Sequence, residues 1–208
     1  MAGENEQAPR RRLITKGRLE SLSDLIFGLA LSIGALALIG TAPKNFNSLV
    51  LSIGYFAFTF LILISVWRSY TSTMSNLRTV TPTVINLNSV LLFLVSIEPF
   101  LFNELNTANI GAQNVSMIYA LDLGGLFAIQ SFLSASVLAE ISSPCELRED
   151  FTHSRNAQAV ASVFFFVSAL PFFWILAIPV GSASLQLRFV LWIIPLFMHP
   201  IERLFEKE

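Results

Sequence analysis

Arg18-Leu-Glu-Ser-Leu-Ser-Asp24 runs without a break into Leu25-Ile-Phe-Gly-Leu-Ala-Leu-Ser-Ile-Gly-Ala-Leu-Ala-Leu-Ile39. A carboxylate stands at the mouth of a stretch that is long and apolar enough to cross a bilayer. An Asp near the centre of a membrane helix costs about 2.5 to 3.5 kcal/mol to insert, whereas each Leu, Ile, Phe or Val returns only about 0.3 to 0.6 kcal/mol. An ionisable group kept in such a place marks a candidate functional site.

The rest of the chain fits this reading. Of 208 residues, 54% are hydrophobic and 13% charged, against about 25% charged in a soluble domain. Mean hydropathy is +0.66, as for an integral membrane protein. The net charge of -1 gives no footing for nucleic acid, whose binding rests on clustered Lys and Arg. A single cysteine, Cys145, rules out an intramolecular disulfide. His153 and His199 are isolated and make no metal site. Asn114-Val-Ser116 matches a glycosylation sequon. No phosphate-binding loop, nucleophile elbow or carbonyl-filter motif occurs.

A crossing helix needs about 20 residues. Six stretches qualify: 17–40, 47–69, 83–105, 115–139, 157–179 and 185–204. The expected fold is therefore all-α, a polytopic protein with six transmembrane helices. Residues 1–14 read as a disordered cytoplasmic tail and 15–208 as the membrane domain. The basic N-terminus and Gly40-Thr41-Ala42 also resemble a signal peptide, but the apolar run is as long as a span and Asp24 interrupts its start. With the N-terminus inside, every Lys and Arg except Lys44 and Arg188 falls on the cytoplasmic side, which puts both termini in the cytoplasm of a multi-pass protein of the cell membrane.

Helical periodicity then sorts the first span. Leu25, Leu29, Ser32, Leu36 and Ile39 share one stripe, flanked by the small residues Gly28 and Ala35. The stripe faces either lipid or a symmetry axis. Arg18 and Asp24 are about 9 Å apart along the axis and on different faces, so Ser23 and Asp24 are expected to bond across to other helices at the same depth. Trp67 late in the second span and Asn86 and Asn88 early in the third are the depth-matched partners. A second polar set, Glu98, Asp122 and Arg188, lies toward the outer side, where Arg188 is expected to neutralise one acid. Gln130 is expected to make an inter-helix contact.

Arg18-x-x-x-Leu22-Ser23-Asp24 resembles the Arg-x-x-x-Phe-Ser-Asp signature of the TMEM175-type potassium channels. The third span, with Asn86, Asn88 and Ser96-Ile-Glu-Pro99-Phe100, is similar to that family's corresponding helix, and Trp67 stands where the family tends to carry a tryptophan. The resemblance to the prokaryotic members implies a homotetramer of six-helix units, with a central pore lined by the first helix and closed by bulky apolar side chains instead of a carbonyl filter. Carried onto this sequence it makes Leu29, Ser32 and Leu36 the pore constriction. It also makes Arg18, Ser23, Asp24, Trp67 and Asn88 the network that anchors the pore helix. It implies potassium as the permeant ion, the bilayer and other copies of the chain as partners, no cofactor and no enzyme activity. Leu22 replaces the signature Phe, and Arg68-Ser-Tyr follows Trp67 where the family has histidines. The alternative is a proton-coupled small-molecule transporter using Glu98 and Asp122.

Overall fold

A computed structural model describes residues 4–40, 45–107, 112–140, 145–180 and 183–195. Five long helices dominate: α1 Glu4–Gly40, α2 Phe46–Asn76, α3 Pro82–Thr107, α4 Ala112–Glu140 and α5 Cys145–Ser168. A single turn, α6 Phe172–Ile175, leads to an antiparallel hairpin of β1 Ala177–Val180 and β2 Ala183–Gln186. Residues 187–195 are again helical. The expected tail falls on residues 1–3, outside the described residues, and on the start of α1, where the side chains before Lys16 are likewise outside them.

Local chemistry fixes the helix ends. Asn45 caps α2 by accepting from the Ser48 backbone N–H at 2.8 Å, while the Ser48 hydroxyl accepts from the Asn45 N–H at 3.1 Å. This reciprocal capping satisfies donors that the first turn leaves orphaned. Pro82 opens α3, where a missing N–H costs nothing, and the Thr81 hydroxyl accepts from the Val84 N–H. The link before α3 is pinned from below by the end of α4: one Glu140 carboxylate oxygen accepts from the backbone N–H groups of Arg78 and Thr79.

α1 packs on α2 and α3, α3 on α4, and α4 most extensively on α5. The core runs through Ile62, Leu63, Leu91, Val95, Leu123 and Leu126. Gly124 and Gly125 let α4 approach two neighbours at once. A Cβ at Gly124 would lie 2.8 Å from the Phe166 ring on α5, and one at Gly125 3.0 Å from Leu94 on α3. Small residues permit this close backbone approach in lipid.

Among the described residues four helices are long and apolar enough to cross a membrane: Lys16–Leu36, Phe46–Asn76, Pro82–Leu105 and Ala112–Glu140. The expected fifth span, 157–179, is not one helix. α5 begins earlier, in the polar stretch at Cys145, and ends at Ser168. The cause is Pro171, which cannot donate to a carbonyl one turn back and whose ring would collide with it. The last turn tightens instead, with Ala169 N–H shared between the Phe165 and Phe166 carbonyls and Leu170 N–H on Val167. Downstream, Ile178 pairs with Leu185 and Pro179 with Ser184, a two-stranded ribbon that leaves Pro free of any donor duty. Of the expected sixth span, 185–204, residues 187–195 are helical and 196–204 lie outside the described residues.

Candidate pore helix and its anchoring residues

α1 turns two different faces to its surroundings. Ser23, Phe27, Ala30 and Gly34 are buried against the neighbouring helices. On the other side Leu25 is 71%, Leu29 59% and Leu36 61% exposed, and Ser32 is exposed beside them. The periodic stripe is thus an outward ridge of the single chain; the side chain of Ile39 lies outside the described residues. The Ser32 hydroxyl donates to the Gly28 carbonyl at 2.8 Å. Its one proton is used within the helix, so the oxygen turns only lone pairs outward.

At the Ser23–Asp24 end of α1 the polar residues reach across to α2 and α3. The Trp67 indole N–H donates to Asp24 at 2.9 Å. Ser23, fully buried, donates to the Leu19 carbonyl at 2.8 Å and shares a 2.7 Å bond with the Tyr70 hydroxyl. The Asn88 amide lies 3.4 to 3.5 Å from the same Ser23 oxygen. Asn86 is exposed, since two residues along a helix turn a side chain to the opposite side. One layer of hydrogen bonds therefore joins α1, α2 and α3.

Two members of this layer escaped the sequence reading. Tyr70 is three residues beyond Trp67 and so on a neighbouring face of α2, a spacing that could have found it. Lys16 is the other: its ammonium donates to the Ser75 and Leu77 carbonyls at 3.2 and 2.9 Å, at the end of α2 where free carbonyls and the helix dipole favour a cation. Lys16 also pairs with Glu20 at 3.9 Å. Arg18 is exposed, and among the described residues it makes no hydrogen bond or ion pair.

The outer polar set departs from expectation. Arg188 pairs with neither acid. It is fully buried, and its five N–H groups go to the carbonyls of Ser168, Ala169, Leu170 and Gln113 and to the Ser116 hydroxyl. Its guanidinium also stacks over Trp174 at 5.4 Å. The helix end that Pro171 creates leaves carbonyls without donors, and the forked guanidinium fits them. Glu98 instead accepts from the Tyr119 hydroxyl at 2.8 Å. Gln130 donates to the Val66 carbonyl at 2.9 Å, tying α4 to α2.

His153 is exposed and His199 lies outside the described residues. The serine of the Asn114 sequon, Ser116, is buried within α4. No group of three His, Cys, Asp or Glu that could hold a metal occurs among the described residues.

A family model described as "Endosomal/lysosomal potassium channel TMEM175" matches residues 18–99. No curated protein and no solved structure matches. The matched family is one of ion channels and not of enzymes. The match starts at Arg18 and ends at Pro99, so it takes in the outward ridge of α1, the Ser23–Asp24 pair and their partners on α2 and α3. Over residues 18–99 the chain is a match to the TMEM175 potassium channel family.

Proposed function

We propose that the chain forms a potassium-permeable cation channel from four copies packed around their first helices. Leu29 and Leu36 make an apolar constriction, and Ser32 offers a ring of oxygen lone pairs between them. The observation that carries this reading is the two-faced packing of α1: its back is fixed to α2 and α3, while its apolar ridge stays largely exposed among the described residues. Lipid could cover such a ridge. However, the same exposed side carries Arg18 and Ser32, and polar groups at membrane depth face a bundle interior or water rather than lipid tails. Gly28 and Ala35, exposed on the flank, allow neighbouring copies to approach closely. Both termini then lie in the cytoplasm, and permeation is controlled by dewetting at the leucines rather than by a carbonyl filter.

The purified protein should be a tetramer and should discharge a potassium gradient from liposomes. Leu29→Ala should raise that flux severalfold or relax its ion preference. A tetramer without flux, or a Leu29→Ala variant with unchanged currents, contradicts the proposal.

A further inference from the structure

Away from α1, α3 and α4 bury two acids that no cation balances among the described residues. Glu98 is 0% and Asp122 5% exposed. One Glu98 oxygen accepts from Tyr119, but its other oxygen and both oxygens of Asp122 have no hydrogen-bond partner among the described residues. Asp122 follows Tyr119, the donor to Glu98, by three residues on the same helix, which turns it to a neighbouring face of α4.

Among the described residues no cation reaches either acid, and the neutral donors are few. Tyr119 gives its proton to Glu98, and Thr59 on α2, 3.2 Å from the Tyr119 oxygen, has a single hydroxyl proton to give. Arg188, from residues 187–195, has all five N–H groups on other acceptors. Tyr55, one turn from Thr59 on α2, is exposed. Glu104, farther along α3, adds a further acid and no cation. On α5, Phe165 packs on Phe127 of α4 and Ser168 accepts from Trp192, and neither is titratable. Pro99, next to Glu98, adds one more acceptor in excess, because its missing N–H leaves the Val95 carbonyl without its helical partner.

We propose that Glu98 and Asp122 form a buried proton-binding site, separate from the pore, whose occupancy holds α3 against α4. Two uncompensated carboxylates in an apolar interior are prohibitively costly. A proton removes the charge and turns each acid into the donor that this acceptor-rich spot lacks. A metal ion would need several converging ligands, whereas a proton needs one oxygen. When the protons leave, like charges face each other across the α3–α4 contact and the helices loosen.

The folded protein holds protons that the unfolded chain releases at neutral pH, so stability falls as pH rises. Thermal unfolding of the purified chain in detergent should show the melting temperature dropping by more than about 4 °C between about pH 6 and about pH 9. The Glu98→Gln/Asp122→Asn variant, whose amides mimic the protonated acids, should show no such drop. The same pH slope in both proteins overturns the proposal. So does a wild-type protein stabilised by added sodium or potassium at fixed pH when the variant is not, which would make the pair a metal-cation site. Should the double variant fail to fold, infrared spectra of the wild type decide: a protonated-carboxyl carbonyl band near neutral pH that weakens in Asp122→Asn supports the site, and absence of the band refutes it. None of these readouts involves ion flux, so failure here is distinct from failure of the pore reading.

Discussion

The two polar layers of this molecule are built on opposite plans. In the inner layer Ser23, Asp24, Trp67, Tyr70 and Asn88 meet one another, side chain to side chain, across three helices. In the outer layer Arg188 is taken up mainly by backbone carbonyls where α5 ends, and both oxygens of Asp122 and one of Glu98 have no partner among the described residues. The first plan fixes one helix against two others and needs only modest, replaceable bonds. The second depends on one side chain to close a helix end that Pro171 has left open, and it leaves acceptors in excess. Positioning α1 is thus spread over several weak contacts, whereas the packing where α5 ends is concentrated in one residue.

That contrast has a thermodynamic form. Arg188→Met removes the guanidinium bonds to the Ser168, Ala169 and Leu170 carbonyls and to the Ser116 hydroxyl, leaving only the Phe173 N–H on Leu170, and hydrogen bonds to a charged group are worth about 1.5 to 3 kcal/mol each. The expected loss is about 3 kcal/mol or more, read as a large fall in the unfolding midpoint in detergent. A small effect would mean that other donors serve these carbonyls as well. Trp67→Phe, which deletes the bond to Asp24 and keeps most of the ring packing, should cost only about 0.5 to 1.5 kcal/mol. Its clearer readout is a reduced fraction of tetramer at low protein concentration. If Trp67→Phe costs as much as Arg188→Met, the inner layer is not a set of modest bonds, and the comparison fails.

How much of this could be read from the residues follows the same divide. Asp24 was conspicuous because a carboxylate in an apolar run needs an explanation. Depth matching along 1.5 Å steps then led to Trp67 and Asn88, both of which the structure brings to α1. Tyr70 was overlooked among the many aromatics of an apolar helix. The outward ridge was legible because 3.6-residue periodicity survives any packing. The outer layer was hidden for physical reasons. Its partners are main-chain carbonyls, which look alike at every position, so Arg188 was matched with the nearest acids instead. The hairpin was hidden too: Ala177-Ile-Pro-Val180 is a short apolar run, and such a run reads equally as strand or buried helix by hydrophobicity alone. The cue lay in β-branched Ile178 and Val180 around Pro179, with Gly181 next in the chain.

The central claim is that the exposed ridge of α1 lines the ion path. The chain has one native cysteine, so Leu29→Cys in a Cys145→Ser background offers a single reactive thiol. Potassium current through this protein in planar bilayers is the measurement, before and after a water-soluble, positively charged thiol reagent. The account predicts that the reagent blocks the current of Leu29→Cys and leaves the Cys145→Ser parent unaffected. A current that persists after Leu29→Cys has been fully labelled would contradict it.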